Sequence, residues 1–409
     1  MAKMQTGAPN HDTLYDAIIV GGGPAGATAA DDLARAGRRV LLMDRAGRIK
    51  PCGGAIPPRL IRDFDIPESQ LCARIRSARM IAPSDKAVDM PIENGFVGMV
   101  NRETFDEFLR ARAADNGAER ITGTFKTLEE HSDGRVTVTY QDEQGALTKA
   151  HCRIVIGADG AKSKVAQQGL PNVKPVPFVF AYHEIVAIDE ADNDNDFYSA
   201  TRCDVYYQGK LSPDFYAWVF PHGNTASIGV GSAQKGFSLR TAVANLRGAT
   251  GLHEVHTIRH EGAPIPMKPM KRWDNGRSII VCGDAAGVVA PASGEGIYYA
   301  MACGRMVADA VIEALEAQTS KDVARSLSQA RRVFMKEHGK VFWVLGILQF
   351  FWYGGDRRRE RFVKICEDKD VQRLTWESYM NKELVRKEPM AHIRVFFKDL
   401  SHLLGFART

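Results

Sequence analysis

The sequence predicts an α/β protein with a parallel sheet, a mostly antiparallel second lobe and a helical C-terminal region. A short apolar run at 15–20 ends in a glycine cluster, and a helical stretch then leads to a second apolar run at 39–43. This order is typical of a strand–helix–strand unit. From about 171 to 270, aromatic residues, alternation and Pro/Gly turns indicate antiparallel strands, and beyond about 317 helical periodicity prevails. A chain of 409 residues is long enough for two lobes.

The other elements follow from local patterns. The first helix is expected at 25–36, where Gly37 ends it. The stretch 101–114 has helical periodicity with Phe105, Phe108 and Leu109 on one face, and 136–140 alternates like a half-buried strand. Three further elements are expected, namely buried strands at 154–156 and 278–282 and a helix at 294–315.

Composition limits the cellular setting and the class of partner. The seven cysteines are an odd number without a Cys-x-x-Cys pair, which favours reduced thiols and a cytoplasmic protein. The first 14 residues are polar, so we expect no secretory signal. Nine Lys or Arg and three acidic residues lie within 331–364, so this segment alone accounts for the net charge of +5. Such local basicity favours an anionic surface over nucleic acid as the partner.

The glycine cluster Gly21-Gly22-Gly23-Pro24-Ala25-Gly26 fits the dinucleotide pattern Gly-x-Gly-x-x-Gly. Gly21 allows the tight turn, Gly23 allows a pyrophosphate to approach the backbone, and Gly26 allows close helix–strand packing. The helix that starts at Pro24 and Ala25 then directs its N-terminus at the phosphates. Asp44, with Arg45 beside it, ends the second strand, where a carboxylate can accept ribose hydroxyls.

Two later motifs resemble those of the p-hydroxybenzoate hydroxylase-like FAD flavoproteins. The first is 157–165, with Asp159 and Gly160, and the second begins at Gly283-Asp284 and continues through Gly294, Gly296 and Ile297. The resemblance implies a Rossmann-like FAD-binding domain in which Asp284 contacts the ribityl chain. It also implies that the following helix N-terminus faces the pyrimidine end of the flavin, where it can stabilise a reduced, anionic ring.

Arg102 occupies a position where this family keeps an arginine near the FAD phosphates. The alternative is an ordinary solvated residue at the start of a helix.

Two further segments narrow the resemblance. Lys50-Pro51-Cys52-Gly53-Gly54-Ala55-Ile56-Pro57 resembles the signature loop of geranylgeranyl reductases, in the form found in the chlorophyll and bacteriochlorophyll branch. Tyr216-Ala217-Trp218-Val219-Phe220-Pro221, followed by Gly229 and Gly231, resembles an element that lines their prenyl cavity. The resemblance extends along nearly the whole chain. It implies that Cys52, Gly53 and Gly54 face the flavin and that Tyr216, Trp218, Phe220 and Pro221 bind substrate.

Each of these segments has an ordinary structural alternative. Cys52 alone would be a small buried hydrophobic residue, but two glycines after it indicate backbone pressed against something flat, such as a flavin ring. Tyr216, Trp218 and Phe220 alternate, so they share one face of a strand and could form a plain sheet core. The functional alternative is an aromatic wall for an isoprenoid, which could also stabilise positive charge developing on an alkene.

The resemblance implies reduction of three of the four double bonds of a geranylgeranyl chain, giving phytyl in bacteriochlorophyll synthesis. The substrate is free as geranylgeranyl diphosphate or esterified as geranylgeranyl-bacteriochlorophyllide. FAD is the expected cofactor. The resemblance implies NADPH as the reductant. Gly229-Val230-Gly231 lacks the third glycine of a second dinucleotide fold, so NADPH is expected to bind transiently or through some other surface. Bacteriochlorophyll synthase is an expected partner, and nucleic acid is not.

Two rival functions share this fold. A flavin monooxygenase of an apolar substrate would consume oxygen, and the Cys-Gly-Gly loop argues against it. A non-enzymatic prenyl-protein escort should have a degraded FAD site, whereas all three motifs are intact here. His183, Met301 and Cys303 are interpreted as packing or surface residues, and no metal-ligand spacing or Ser-His-Asp order is present.

The motifs divide the chain into four parts. We expect 1–170 to form the first part of the FAD-binding domain, 171–270 the antiparallel prenyl-binding domain, 271–316 the second FAD-binding part and 317–409 the helical C-terminal region.

The C-terminal region carries two apolar segments with basic flanks. Residues 341–353 are too few to span a bilayer, which requires about 20 apolar residues. Arg331, Arg332, Lys336 and Lys340 precede this segment, and Arg357, Arg358 and Arg359 follow it. A second apolar helix is expected at 393–406. We expect peripheral binding to the cytoplasmic face of an anionic photosynthetic membrane, the alternative being two buried helices with solvated flanks.

Overall fold

The computed structural model describes residues 13–382 with the exception of 46, 48, 175 and 190–196. Its strands are β1 Leu14–Val20, β2 Val40–Asp44, β3 Ala55–Ile56, β4 Leu71–Ile75, β5 Ser77–Ile81, β6 Ala87–Pro91, β7 Val97–Val100, β8 Glu119–Thr122, β9 Thr124–Glu130, β10 Val136–Gln141, β11 Leu147–Gly157, β12 Phe178–Ala187, β13 Arg202–Tyr206, β14 Ala217–Pro221, β15 Thr225–Ser232, β16 Thr257–Pro266 and β17 Ile279–Val281. Its helices are α1 Pro24–Arg35, α2 Pro58–Asp63, α3 Arg102–Asp115, α4 Lys164–Gly169, α5 Leu239–Ala249, α6 Ile297–Glu316, α7 Ser320–Trp352, α8 Asp356–Ile365 and α9 Lys369–Asn381.

The first sheet has the order β8-β2-β1-β11-β10-β9, and β17 pairs with β11. β1 runs parallel to both β2 and β11, and β11 runs parallel to β17. Helices α3 and α6 pack against α1 beside this sheet. The strand–helix–strand unit is confirmed, and the parallel strands bring their carboxyl ends to one edge, where α/β folds bind ligands.

The second sheet has the order β16-β12-β15-β14-β13-β5-β6 and is mainly antiparallel, as the sequence predicts for 171–270. Two of its strands, β5 and β6, come from within 1–170, and β5 pairs in parallel with β13. The boundary expected at 170 is therefore wrong for these strands. Pairing between β5 and β13 is a long-range contact that local alternation does not encode.

The helical C-terminal region forms as predicted as far as it is described. α7 is a single helix of 33 residues, whose buried side chains Leu327, Ala330, Phe334, His338 and Phe342 follow a three-or-four-residue spacing. This face packs on α6. Among the described helices, none has both the length and the apolar content needed to cross a membrane. The apolar segment predicted at 393–406 lies outside the described residues.

Most predicted boundaries shift by one residue in the structure, but the strand expected at 154–156 is the end of the longer β11, Leu147–Gly157. α6 begins at Ile297 instead of Gly294, because Gly294 adopts a left-handed φ of 65° and Gly296 is the N-cap. The strand expected at 278–282 is limited to the three residues of β17.

Candidate functional site

The turn between β1 and α1 contains glycines that have no room for a side chain and one glycine that has open space beside it. A Cβ on Gly21 would overlap the carbonyl oxygen of Ala158, and a Cβ on Gly26 would overlap that of Gly21. A Cβ on Gly23 would meet no protein atom within 4 Å. Gly21 and Gly26 are thus required by packing. Gly23 instead leaves open space before the N-terminus of α1, which has no side-chain cap.

Asp44 lies at the carboxyl end of β2, beside this turn. Its carboxylate accepts the Arg45 backbone N–H at 2.7 Å and Nη1 of Arg110 at 3.2 Å. Burial raises the pKa of the Asp44 carboxyl, and these two donors act against burial. Arg110, which the sequence analysis did not identify, also donates to the Gly22 carbonyl oxygen at 3.2 Å and so ties Asp44 to the turn.

Asp159 stabilises the start of α4, a role that its sequence motif alone did not indicate. Its carboxylate accepts hydrogen bonds from Ser163 Oγ and from the backbone N–H groups of Lys164 and Val165, at the start of α4. Burial raises the pKa of this carboxyl. The adjacent Gly160 has a φ of 87°. The motif therefore stabilises the turn that packs Ala158 against the first glycine turn.

The third motif, which begins at Gly283, packs against the first one. Gly283 has a φ of 61°, and a Cβ there would lie 2.7 Å from Cβ of Ala25, so this turn packs tightly against α1. Asp284 forms an ion pair with Lys50 through Oδ2. Its Oδ1 lies 3.9 Å from where a Cβ on Gly296 would be. The three motifs thus meet at one edge of the sheet.

One cavity of about 760 Å³, including its opening to solvent, joins these motifs to the second sheet. Its motif side includes Pro24, Asp284, Gly294, Gly296 and Ile297, and its other side includes Lys50, Cys52, Gly53, Arg102, His183, Tyr216, Trp218, Phe220 and Ile265. The structure therefore brings together residues that the sequence analysis assigned to separate cofactor and substrate roles. The predicted site residues that do not line this cavity are Gly21, Gly23, Ala25, Gly26, Asp44, Arg45, Gly54, Asp159, Gly160, Pro221 and Gly283.

Three aromatic side chains form a continuous wall of the cavity. The ring centroids of Tyr216 and Trp218 lie 5.9 Å apart, and those of Trp218 and Phe220 lie 6.2 Å apart. The Tyr216 hydroxyl donates to the Ser293 carbonyl oxygen at 2.6 Å, and Trp218 Nε1 donates to Ser227 Oγ at 3.1 Å. Both polar tips are satisfied, so the ring faces are available to line an apolar space.

The Cys52 loop lines the same cavity and lies against the Phe220 end of this wall. The Gly54 backbone N–H donates to Cys52 Sγ at 3.4 Å. A Cβ on Gly53 would lie 3.0 Å from the Phe220 ring. A Cβ on Gly54, whose φ is 72°, would lie 2.5 Å from the Val100 carbonyl oxygen. The flat object that the sequence predicted next to these glycines is thus at least in part the protein's own Phe220 ring.

Arg102 is buried, so the solvated-helix alternative is wrong. Its Nε and Nη2 each donate to the Asp106 carboxylate at 2.7 Å, and it also interacts with Cys52. Burial alone would lower the pKa of the Arg102 guanidinium, but the Asp106 carboxylate outweighs burial and raises it above its ordinary value.

His183 was interpreted as a packing or surface residue, but it lines the cavity and is buried. Its Nδ1 is 2.9 Å from Ser227 Oγ and its Nε2 is 3.1 Å from Glu261 Oε2. The feature of the sequence that could have indicated this role of His183 is Gly229. In the second sheet Gly229 is paired with His183 on one neighbouring strand and with Trp218 on the other. A Cβ on Gly229 would lie 2.6 Å from His183 Cβ and would overlap the Trp218 ring. Met301 and Cys303 are fully buried, as predicted.

A second, polar cleft adjoins the cavity and shares Lys50, Cys52, Arg102 and His183 with it. Its other side chains include His222, Asn224, Arg259 and Glu261. Burial lowers the pKa of His222 to about 4, so this imidazole is neutral at pH 7. Arg259 pairs with Glu261 at 2.9 Å, so the positive charge of the cleft is largely compensated. Among the described residues, no cluster of His, Cys, Asp or Glu is arranged to hold a metal ion.

Comparison with known families identifies two domain models. The model described as an FAD binding domain matches residues 73–338, and the model described as an NAD(P)-binding Rossmann-like domain matches residues 19–59.

Two similar sequences are geranylgeranyl diphosphate reductases. The chain is 56% identical to the one from Rhodobacter capsulatus, over 96% of this chain and 98% of that protein. It is 35% identical to the chloroplastic one from Oryza sativa subsp. japonica, over 94% of this chain and 85% of that protein.

Solved structures share the fold at low sequence identity. A geranylgeranyl bacteriochlorophyll reductase-like protein from Thermoplasma acidophilum superimposes with a TM-score of 0.76 and 21% identity, covering 92% of this chain and 99% of that one. A flavin-dependent brominase superimposes with a TM-score of 0.72 and 16% identity, covering 95% of this chain and 100% of that one. The expected FAD-binding fold is confirmed.

The open space at Gly23 provides a test of FAD binding that leaves the fold intact. We expect Gly23→Val to fold like the parent but to bind FAD more than about tenfold less tightly, because the new side chain fills the space before α1. FAD affinity would be measured by titration of apoprotein, alongside thermal unfolding. Gly248→Val is the control, because Gly248 also has no protein atom near its absent Cβ but lies in α5. Full FAD occupancy of Gly23→Val would contradict this role of the turn.

Proposed function

We propose, from the premise that the chain belongs to the family of FAD-dependent geranylgeranyl diphosphate reductases, that it reduces isolated double bonds of a geranylgeranyl chain to give phytyl. NADPH is the proposed electron donor. The observation that carries the proposal is the single cavity that the cofactor motifs, the Cys52 loop and the aromatic wall line together. We propose that three of the four double bonds are reduced and that the fourth is retained.

The motif side of the cavity fits FAD. The open space at Gly23 and the uncapped N-terminus of α1 suit the pyrophosphate. Asp44 would accept ribose hydroxyls, and Oδ1 of Asp284 would accept ribityl hydroxyls while Oδ2 holds Lys50. Gly294, Gly296 and Ile297 would lie beside the ring, and Arg102 near the phosphates. Asp159 and Gly160 would support the turn from behind, and direct contacts of Asp159 and Arg45 with FAD stay predictions.

The other side of the cavity fits an isoprenoid. Tyr216, Trp218 and Phe220 provide an apolar surface, and the nearby charges of Lys50 and Arg102 are paired with carboxylates. A chain of hydrocarbon can therefore be buried without opposing an isolated charge. We assign the prenyl-binding domain to 171–270 together with β5 and β6, and the FAD-binding domain to the rest of 1–170 and to 271–316.

Product analysis tests the proposed reaction directly. Incubation with NADPH and either geranylgeranyl diphosphate or geranylgeranyl-bacteriochlorophyllide should give products that gain two hydrogens for each reduced bond, measured by mass spectrometry. Comparison of the two substrates identifies the preferred one. Oxygen uptake coupled to a hydroxylated product would instead support the monooxygenase, whose fold this chain also shares. Absence of turnover with both substrates would contradict the proposal.

The chemistry requires a proton as well as a hydride. An isolated trisubstituted alkene has no conjugated carbonyl to hold negative charge, so one alkene carbon must be protonated as the other is reduced. Reduced FAD supplies the hydride. Tyr216 and Trp218 can stabilise the positive charge that develops on the more substituted carbon, because aromatic faces attract cations. Cys52 is the proposed proton donor, since it lines the same cavity as these rings.

Substitution of Cys52 separates proton delivery from cofactor binding. We expect Cys52→Ala to retain FAD and to be reduced by NADPH, but to lose most alkene reduction in a single turnover. Cys52→Ser should also be impaired, because a hydroxyl is far less acidic than a thiol with a pKa of about 8.5. Cys72→Ala is a matched control, since Cys72 lines only the polar cleft and burial raises its pKa to about 11. A parental rate in Cys52→Ala would mean that another group supplies the proton.

The proposed membrane contact is a stripe along α7 that consists of the exposed residues Arg332, Lys336, Lys340, Trp343 and Phe350 and the half-buried Ile347. The side chains recur every three or four residues, so they share one helix face. Trp343 is 69% exposed and Phe350 is 75% exposed, which is unusual for aromatic residues. Cations followed by aromatic residues fit an anionic membrane interface. We propose peripheral binding at this stripe, and association with bacteriochlorophyll synthase stays a prediction.

Several residues of the segments assigned to this contact from sequence belong elsewhere. Phe342, Trp352 and Tyr353 are buried. Arg359 is only 1% exposed and donates to the Pro213 carbonyl oxygen at 2.6 Å, so it supports the fold. Arg357 and Arg358 of the same basic run are exposed.

Liposome flotation tests the stripe. Binding to anionic vesicles should weaken several-fold in Lys336→Gln/Lys340→Gln and as salt rises, because surface attraction is screened over roughly 10 Å. Trp343→Ala/Phe350→Ala should also release the protein. The controls are Lys149→Gln/Lys235→Gln and Leu147→Ala, at exposed positions in other elements. Equal flotation of all variants would show that the contact lies outside the stripe.

A further inference from the structure

A buried ion pair joins the end of α9 to the third cofactor motif. Lys382 Nζ lies 3.0 Å from Oε2 of Glu295, and their side chains are only 3% and 6% exposed. Glu295 lies between Gly294 and Gly296, both of which line the cavity. Lys382 follows α9 in a left-handed conformation with a φ of 54°. Paired charges this deeply buried are costly to desolvate, so their retention requires a reason.

Each partner is held by further contacts. Glu295 Oε1 accepts the Tyr298 backbone N–H at 2.9 Å and so satisfies a donor in the first turn of α6. Lys382 Nζ lies 3.7 Å from the Tyr379 ring centroid and 5.7 Å from that of Tyr299. Aromatic faces stabilise a cation at such distances. The ammonium is therefore fixed beside the carboxylate that caps α6.

Lys382 is the direct partner of the Glu295 carboxylate, because the other ionisable groups nearby, Arg59 and His338, either bind elsewhere or are uncharged. Arg59 stacks on Tyr298 at 5.5 Å and donates to the Asn381 carbonyl oxygen at 2.6 Å. His338 is buried, and burial lowers its pKa to about 4, so it contributes no charge at neutral pH. Burial lowers the pKa of Lys382, and the Glu295 carboxylate acts against burial.

The position of the pair has an electrostatic consequence. The N-terminus of α6 carries roughly half a positive charge, which favours an anion in front of it. An uncompensated Glu295 carboxylate at the same end would cancel this field. A cation bound to that carboxylate restores the field while the carboxylate continues to cap the helix.

We propose that Lys382 is a positioning residue that neutralises Glu295, so that the N-terminus of α6 can stabilise the negative charge of reduced FAD. The inference rests on the proposed placement of FAD at this side of the cavity. It assigns to the residue that follows α9 an influence on the redox properties of the site, exerted through Glu295, although Lys382 touches neither cofactor nor substrate.

The test is the midpoint potential of bound FAD in a double-variant cycle, measured from pH 7 downwards. Lys382→Met should shift the potential in the negative direction, because the carboxylate then opposes the anionic reduced form. Glu295→Gln should shift it in the positive direction once the pH is low enough to keep Lys382 protonated without its carboxylate partner, since Gln can still accept the Tyr298 N–H and the cation is then uncompensated. Each shift should correspond to roughly a tenfold change in the ratio of the affinities for reduced and oxidised FAD. The double variant should return close to the parent, and Lys382→Arg should retain the parental potential.

A purely structural pair would behave differently. Both single variants would then lower the unfolding temperature and the affinity for oxidised FAD, without potential shifts of opposite sign, and that result would overturn the proposal. If Lys382→Met does not fold, Glu295→Gln decides alone, because an unchanged or more negative potential at the lower pH contradicts the inference. A parent that binds FAD but reduces no geranylgeranyl substrate would contradict the proposed function and leave this measurement valid.

Discussion

The close approach of three backbone turns is the constraint on which the rest of the structure depends. Gly21 and Gly26 have no room for a side chain, because Ala158 and the turn itself occupy that space. Gly283 packs against Ala25 at a distance that excludes a larger residue. These contacts bring the ends of β1, β11 and β17 together and fix the start of α1. The edge of the first sheet thus becomes a concave surface on which an extended cofactor can lie.

The charged side chains that line the cavity in front of these turns are paired with side chains of opposite charge. Lys50 pairs with Asp284, Arg102 with Asp106, and His183 with Glu261. Pairing matters because an isolated charge in an apolar space would be strongly disfavoured. The Lys50–Asp284 pair also ties the Cys52 loop to the third motif, and the Tyr216 hydroxyl ties the aromatic wall to Ser293. A site of this kind can bury a hydrocarbon chain and still direct a proton and a positive charge to defined places.

The sequence predicted the fold and most of the cavity because those features are local or carried by motifs. Glycine spacing encodes the turns directly, and alternation encodes the shared face of Tyr216, Trp218 and Phe220. Residues whose roles depend on long-range pairing were not predictable in this way. β5 joins β13 across more than a hundred residues. His183 becomes a cavity residue only through its register with Gly229, and Lys382 becomes relevant only because α9 ends beside Glu295.

Helix α7 connects the proposed membrane face to the aromatic wall through two hydrogen bonds. The Ala292 backbone N–H donates to Gln349 Oε1 at 3.3 Å, and the Tyr353 hydroxyl donates to the Ala292 carbonyl oxygen at 2.6 Å. Ala292 has a φ of 63°, which costs energy in a residue other than glycine, so these bonds hold a strained turn. The next residue, Ser293, accepts the hydrogen bond of Tyr216. A helix whose outer face carries Trp343 and Phe350 therefore also fixes the aromatic wall, so the proposed surface contact and the shape of the cavity involve the same element.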